Sequence, residues 1–397
     1  MNTFFELIQV AVGTRSTLSC SPSAEQWQEV YETAKKQALI GICFAGVERL
    51  ARSTDSGQTK AEEGRGQLPP SKMIRQWAIK ANKIRDINKV ADEDCQKVLR
   101  FFKENGFETV ILKGQSNYAY YPEWLQGLRS PGDIDVWAMP KKEKGKRKEE
   151  KDGPVKSVIE FCQSKVKSGY VYYHNMDFPI LKTTEVEVHY RPTFLYCPWR
   201  NRRLQRWIAS FQGLPSLQGR AGERLLEFNV VFQLLHLYKH IFEEGIGLRQ
   251  LVDYFWCLNA YSKLKETDES AFVGMQSRTD KIIRELKLNR FCGAVMYVMQ
   301  EVFRMPREMM LCEPTEKDGR LLLDEIMIGG NFGQHDARYK WAEVTNGSME
   351  YRGMGYALTR LKHNYRFLRS YPEEVIWEPL FRVYHMLWRK LKLWRYE

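Results

Sequence analysis

The stretch that decides the fold spans residues 107–136 and reads FETVILKGQSNYAYYPEWLQGLRSPGDIDV. Its apolar residues 110–112 meet Gly114 after one lysine, which predicts a buried strand that ends at a turn. A second strand is predicted to carry Asp133 and Asp135 at positions i and i+2. Because side chains alternate along a strand, both carboxylates lie on one face and the apolar residues between them face the core.

Two adjacent carboxylates constrain the chemistry of this strand. They repel each other unless a cation lies between them or one of them is protonated. Mg²⁺ is usually held by one or two carboxylates together with substrate phosphates. The pair Asp133 and Asp135 therefore predicts a Mg²⁺ site that acts on a phosphate-bearing substrate.

A later stretch, residues 184–191, reads TEVEVHYR and alternates strictly between polar and apolar side chains. This pattern predicts a half-buried strand with one charged face. The charged face carries Glu185, Glu187, His189 and Arg191. One interpretation is an edge strand whose charged face simply meets water.

The order of these features resembles a known superfamily. Gly114 after an apolar strand, then a short helix and Asp-Ile-Asp in the next strand, resembles the polymerase-beta-type nucleotidyltransferases. The motif LKGQ…YY…LRSPGDIDVW, followed by VEVHYRP, is similar to that of a bacterial family of uncharacterised nucleotidyltransferases. This resemblance covers residues 101–261. The resemblance implies an α+β fold: a polymerase-beta-like core of a small mixed sheet with helices, flanked by largely helical N- and C-terminal regions.

The resemblance also assigns residues to the site. It implies that Asp133, Asp135 and Glu187 are catalytic and bind metal, with Glu185 as the alternative to Glu187. It implies nucleotide-binding roles for Lys113, Gly114, Ser116, Arg129, His189, His240, Arg249 and Asp253. Because the last two are four residues apart on a predicted helix, an intrahelical ion pair between them is the alternative interpretation.

The implied activity is transfer of a nucleoside monophosphate from an NTP to an acceptor hydroxyl on a small molecule, a protein or an RNA end. The implied cofactors are two Mg²⁺ ions about 3.5–4 Å apart, or Mn²⁺ in their place. Two other classes stay open. One is a non-catalytic, antitoxin-like binding module of the same fold, favoured by Gln115 where the superfamily usually has Gly or Ser. The other is a nucleic-acid-binding protein that uses its positive charge directly.

Composition bounds the class of protein. The 397 residues include 61 Lys and Arg against 49 Asp and Glu, a formal net charge of +12 that favours anionic partners. The eight cysteines are scattered without a Cys-x-x-Cys motif, which is typical of reduced thiols and argues against a zinc or disulfide framework. The sequence has no run of about 18 apolar residues and no basic secretory leader, so we expect a cytoplasmic protein without a transmembrane segment.

Three regions are predicted. Residues 1–70 form an N-terminal helical region that ends in a flexible polar linker, residues 52–70. Residues 71–215 form the catalytic domain, which begins with a long amphipathic helix over residues 71–105. Residues 216–397 form a C-terminal helical domain.

Smaller features are predicted within these regions. We expect a helix over residues 155–168, a strand over residues 170–174 and a helix break at residues 245–247. The glycine-rich residues 329–333 predict a tight structural turn, with a phosphate cradle as the alternative. The basic residues 141–156 predict a solvated loop, with an electrostatic rim around the site as the alternative.

The last helix, from Val375, has basic residues around an apolar stripe. The stripe comprises Leu380, Val383, Leu387, Leu391 and Trp394. We expect this stripe to pack against the helical domain, with peripheral contact to an anionic membrane as the alternative. His236 and His240 have the spacing of a zinc pair, but Leu237 stands where a metalloprotease helix carries Glu, which argues against zinc.

Overall fold

The computed structural model describes most of the chain. The described residues are 2–55, 67–141, 153–166, 170–211, 221–338, 343–345, 348–350 and 354–393. Residues 56–66 of the predicted linker, residues 142–152 of the basic run and Trp394 lie outside them.

Helices make up most of the described residues. In chain order they are α1 Asn2–Val12, α2 Ala24–Lys36, α3 Ile40–Asp55, α4 Ser71–Glu104, α5 Gly153–Lys165, α6 Pro198–Ala209, α7 Ala221–His240, α8 Leu248–Thr267, α9 Glu269–Glu285, α10 Asn289–Phe303, α11 Glu316–Gly329, α12 Met354–Tyr365 and α13 Pro372–Trp388. Short 3₁₀ helices cover Gly114–Tyr120, Glu123–Leu125, Arg307–Met309 and Asn331–Gly333, and a π-helical turn covers Arg389–Leu393. The long helix that begins at Ser71 and the break between α7 and α8 are confirmed.

A mixed sheet of four strands lies among these helices. Its strands are β1 Phe107–Ile111, β2 Ile134–Pro140, β3 Asn175–Asp177 and β4 Val186–His189, in the order β1-β2-β4-β3. β2 runs antiparallel to β1 and parallel to β4, and β3 runs antiparallel to β4. A separate hairpin joins β5 Glu343–Thr345 to β6 Ser348–Glu350. The α+β class is confirmed, and the edge-strand interpretation of residues 184–191 is wrong because β4 lies between β2 and β3.

The chain before β3 differs from the prediction. The strand predicted over residues 170–174 is wrong, since β3 begins at Asn175 and Val171 makes only an isolated bridge, to Met176. The Tyr172 amide donates a hydrogen bond to the Asn175 carbonyl at 2.8 Å. The chain therefore turns back on itself inside the segment that we expect to be an extended strand.

The two faces of the sheet pack against different helices. Ile134 and Val136 of β2 share one buried cluster with Phe102 of α4. On the opposite face, Trp137 stacks on Phe228 of α7 with ring centroids 5.6 Å apart. Because side chains alternate along β2, its carboxylate falls on this second face, toward the C-terminal helices.

Asn88 of α4 holds the loop between β1 and β2. Its buried Nδ2 donates to the carbonyls of Gly127 and Arg129, each at 2.8 Å, and to that of Ile84 at 3.0 Å. The Tyr118 hydroxyl donates to its Oδ1. One side chain thus fixes the loop that leads into the aspartate pair.

The last helix packs differently from the prediction. Val375, Trp377 and Phe381 contact the main core. The predicted core positions face outward and are exposed: Leu380, Val383, Leu387 and Leu391. The expectation that this stripe packs against the helical domain is therefore wrong for these four residues. No helix within the described ranges has the length and apolarity needed to cross a bilayer.

Replacing Asn88 with alanine is expected to lower the free energy of unfolding by about 1–3 kcal/mol, because buried loop carbonyls lose their donor. Urea denaturation measures the loss. Asn82→Ala, at an exposed position of the same helix, is the matched control and is expected to stay within about 0.5 kcal/mol of the wild type. Equal losses in the two variants would contradict the role given to Asn88.

Candidate active site

β2 brings the two aspartates to the site at different depths. Asp135 lies within the strand and is 2% exposed, whereas Asp133 precedes the strand and its side chain is 32% exposed. The Leu112 amide donates to the Asp135 carbonyl and the Ile134 amide donates to the Glu185 carbonyl, each at 2.9 Å. Backbone hydrogen bonds on both sides therefore fix one aspartate inside the sheet and leave the other accessible.

β4 adds a carboxylate and an imidazole. Glu187 lies opposite Asp135 in the parallel register, so Glu187, rather than Glu185, stands next to the aspartate. The Nε2 atom of His189 lies 2.8 Å from Asp135 Oδ1 and 3.5 Å from Glu187 Oε2. Asn175 of β3 donates to the same glutamate oxygen. One ligand atom from each of Asp135, Glu187 and His189 lies within 4.8 Å of the other two.

Lys113, just after β1, offsets the negative charge of the two aspartates. Its Nζ lies 3.0 Å from Asp135 Oδ2 and 3.7 Å from Asp133 Oδ2. Burial disfavours the charged amine, but the surrounding carboxylates raise the pKa of Lys113, so the side chain stays cationic. The cation that two adjacent carboxylates require is supplied here by the chain itself.

The protonation states of Glu187 and His189 follow from their contact. Burial alone would lower the pKa of His189, but its hydrogen bonds to Asp135 and Glu187 raise that pKa to about 9. Burial alone would raise the pKa of Glu187, but His189 and Lys113 lower it to about 2. Burial and the neighbouring Asp133 raise the pKa of Asp135. At neutral pH an ionised glutamate thus faces a protonated histidine.

The donor set fits a divalent cation. Carboxylate oxygens suit hard ions such as Mg²⁺, and imidazole nitrogen suits several transition metals. Asp135 Oδ2 is buried, makes no hydrogen bond of favourable geometry in the described part of the chain and faces the Lys113 ammonium at 3.0 Å, so a metal ion bound there would share or replace this contact. Asp135, Glu187 and His189 could therefore hold a metal ion, with Asp133 nearby, provided that metal binding displaces the proton that His189 carries at neutral pH.

A buried ion pair joins the loop before β2 to α8. Arg129 Nε lies 2.7 Å from Asp253 Oδ1, and its Nη2 lies 2.8 Å from Oδ2. The Tyr121 hydroxyl donates to Oδ1 at 2.6 Å. The interpretation of Asp253 as an intrahelical partner of Arg249 is therefore wrong: the carboxylate pairs with Arg129 instead.

Arg249 reaches toward the same loop. Its Nη1 donates to the Ser130 carbonyl at 2.9 Å. A Cβ at Gly132 would lie 3.4 Å from that nitrogen, tighter than most such contacts, so glycine allows the close approach. Burial and the charge of Arg129 lower the pKa of Arg249 to about 10, which leaves the guanidinium cationic at neutral pH.

A cleft of about 480 Å³ lies beside these groups. Six of the predicted site residues line it: Lys113, Gly114, Arg129, Asp133, Arg249 and Asp253. Three predicted nucleotide-binding residues are not among the lining residues: His189, which contacts Asp135 and Glu187 instead, Ser116 and His240. Ser116 Oγ donates to the Lys113 carbonyl at 3.4 Å, and the His240 ring packs against that of His236 at 4.2 Å.

Gln115 turns away from the cleft. Its Nε2 donates to Asp92 Oδ1 of α4 at 2.7 Å. The cleft wall is formed here by Gly114, whose φ of +63° is a conformation that favours glycine. Gln115, the residue that departs from the superfamily pattern, therefore takes no part in the cleft wall, which its neighbours form.

Sequence reasoning missed part of this wall. Phe232 and Phe332 add aromatic surface, and Asn117, Gln233 and Gln250 add amides. For Phe332 a signal existed, since it sits in the glycine-rich turn. The others lie in helical segments, where periodicity does not separate a core position from a cleft wall.

The geometry of the site defines a class of protein. A mixed sheet that aligns carboxylates from neighbouring strands beside a cationic cleft is typical of metal-assisted enzymes acting on phosphate-bearing substrates. A family model described as an uncharacterised nucleotidyltransferase matches residues 23–304, more than half of the chain, and the chain belongs to that family. The family predicted from the sequence motifs is thereby confirmed. The comparisons with curated proteins and with solved structures gave no match.

Asp253→Ala is expected to lower the free energy of unfolding by about 3–5 kcal/mol, because it leaves the Arg129 guanidinium buried without its counter-charge. Tyr121→Phe removes one hydrogen bond to the same carboxylate and is expected to cost about 1 kcal/mol. Urea denaturation of both variants tests the ion pair. Similar losses would show that the pair adds nothing beyond a single hydrogen bond.

His240 gives a pH dependence with a definite sign. Burial lowers the pKa of His240 to about 3, so between pH 6.5 and 3 the unfolded chain binds a proton that the folded chain does not. The free energy of unfolding therefore falls as the pH falls, by at most about 1.4 kcal/mol per pH unit from this residue. His240→Gln is expected to flatten the wild-type loss between pH 6.5 and 5 by about 1–2 kcal/mol. An unchanged slope would contradict the buried, neutral imidazole.

Proposed function

We propose that this protein transfers a nucleoside monophosphate from an NTP to an acceptor hydroxyl, with the reaction centred on Asp133, Asp135 and Glu187. One observation carries the proposal. The parallel register of β2 and β4 sets Glu187 opposite Asp135, beside a cleft that Asp133 and Lys113 line. Membership of a nucleotidyltransferase family supports the same class of reaction.

The three carboxylates would hold the metal. When Mg²⁺ is bound there, as one ion or as the pair typical of such sites, it neutralises phosphate charge and lowers the pKa of the acceptor hydroxyl. The oxygen-rich donor set supports Mg²⁺ or Mn²⁺. A polymerase-beta-like core within residues 71–215 is the fold we infer for this arrangement.

The chain's own cations would bind and orient the phosphates. Lys113 and Arg249 both line the cleft and are cationic at neutral pH. Catalysis of phosphoryl transfer depends mainly on positioning and charge stabilisation. We therefore assign Lys113 and Arg249 to phosphate oxygens.

Other residues would position the catalytic groups. His189 bridges Asp135 and Glu187 and so fixes the spacing of two carboxylates that would otherwise repel each other. The ion pair between Arg129 and Asp253 anchors the loop that ends at Asp133. These residues act through the carboxylates rather than on the substrate.

Asp133→Asn and Asp135→Asn are each expected to reduce nucleotidyl transfer by at least about 100-fold, because each removes a metal-binding charge. Calorimetry with non-hydrolysable NTP analogues, with and without Mg²⁺, measures the underlying binding step. Wild-type protein is expected to bind an analogue only with Mg²⁺, and Asp133→Asn to lose that dependence.

Asp86→Asn provides the matched control. It makes the same chemical change at an exposed position of α4, where Asp86 contacts only Lys89 among the described residues. Its metal-dependent binding should equal that of the wild type. Full metal-dependent binding in Asp133→Asn would remove this residue from the metal site, and retained transfer in both site variants would overturn the proposed reaction.

A further inference from the structure

Two glycine loops meet beside the cleft. A Cβ on Gly247 would lie 2.8 Å from the Asn331 Cα, and one on Gly245 would lie 3.3 Å from the Gly333 nitrogen. The φ angles of Gly245 and Gly333 are +99° and +64°, in a region that side chains rarely adopt. The close approach of two backbones therefore explains both glycine-rich segments singled out in the sequence.

The loop places Phe332 in the cleft wall. Phe332 has a φ of +53°, an uncommon conformation for a residue with a large side chain. Its ring lines the cleft, 5.4 Å from the Arg249 guanidinium carbon and 5.4 Å from the His240 ring. Such strained positions cluster at functional sites, where surrounding structure holds them.

Gln250 offers a hydrogen-bond donor to the same cleft. Its Oε1 accepts from the Gly247 amide at 2.9 Å, which fixes the orientation of the side-chain amide. Its Nε2 is buried and has no partner in the described part of the chain. The residue is 7% exposed and lines the cleft, so an unpaired donor lies in the cleft wall.

Asn117 offers a second side-chain amide whose oxygen is bonded and whose nitrogen is not, in the part of the chain that the structure describes. Its Oδ1 accepts from Gln233 Nε2 at 3.3 Å, and its Nδ2 lacks a partner among the described residues. The side chain is 1% exposed and lines the cleft. His236 also lines the cleft, and burial holds its pKa well below the usual value, so this part of the wall is uncharged.

The aromatic ring and the two unpaired donors suit a nucleobase, whereas Lys113 and Arg249, the latter beside the Phe332 ring, suit the phosphates. Bases stack on aromatic side chains irrespective of sequence. Buried donors without partners are costly unless a ligand supplies acceptors. The carbonyl oxygens of uracil, cytosine and guanine can accept from such donors, whereas the Watson–Crick edge of adenine places an amino donor beside its acceptor nitrogen.

We propose that Phe332, Gln250 and Asn117 form the base-binding part of the cleft and favour NTPs whose base carries a carbonyl oxygen, namely uracil, cytosine or guanine, over ATP. This inference rests on the proposed function, because it assumes that the triphosphate binds beside Lys113 and Asp133. It adds the chemical feature of the NTP that the cleft recognises, which is a carbonyl oxygen on the base.

Phe332→Ala tests the stacking surface. With Mg²⁺ present, the variant is expected to bind a non-hydrolysable UTP or GTP analogue about 5- to 100-fold more weakly and to bind inorganic tripolyphosphate as the wild type does. Phe332→Tyr should keep nucleotide affinity, and Tyr365→Ala, which removes an exposed ring on α12, should leave both ligands unaffected. Unchanged nucleotide affinity in Phe332→Ala would overturn the stacking role.

Gln250→Glu tests recognition of the base. The substitution keeps an oxygen that accepts from the Gly247 amide and removes the NH₂ donor. We expect the wild type to bind the best of the UTP, CTP and GTP analogues about 10-fold more tightly than the ATP analogue, and the variant to lose most of that ratio. Repulsion between the new carboxylate and the triphosphate weakens binding of every analogue equally, so it does not change this ratio of affinities. A ratio near one in the wild type, or an unchanged ratio in the variant, would overturn the selectivity.

Tripolyphosphate separates this inference from the proposed function. Mg²⁺-dependent binding of tripolyphosphate, with no added affinity from any nucleoside, would overturn the base site and leave the catalytic proposal standing. Absence of binding for tripolyphosphate and for all four nucleotides would overturn both.

Discussion

Repulsion between carboxylates is the constraint on which the site depends. The parallel register of β2 and β4 sets Glu187 against Asp135, and Asp133 enters from the adjoining loop. Like charges at this distance in a buried place are unfavourable without compensation. Lys113 and His189 supply it from two sides, so the sheet holds its acidic cluster together before any ligand arrives.

The second constraint is the link between the sheet and the helices. Arg129 and Asp253 are 5% and 6% exposed, and they join residues that are 124 positions apart. Asn88 ties the same loop to α4. The loop before Asp133 is therefore fixed from two sides, by α8 and by α4, and the family match over residues 23–304 includes both helices.

Periodicity in the sequence predicted the features that depend on the spacing of nearby residues. Alternation placed Asp133 with Asp135, and Glu187 with His189, on common strand faces, and helical periodicity predicted α4. It could not predict contacts between distant segments. Helical spacing offers Arg249, four residues earlier, as an alternative partner for Asp253, whereas the carboxylate pairs with Arg129 on the loop before β2. The interior place of β4 depends on strand order, and no pattern within residues 184–191 encodes it.

Phe332 lies far along the chain from the acidic cluster. The family match ends at residue 304, whereas this ring reaches the cleft from a turn beyond it. The acidic cluster and the Phe332 ring are thus encoded in separate stretches of sequence. A substitution in this turn alters the surface that faces the cleft and leaves every residue of the acidic cluster unchanged.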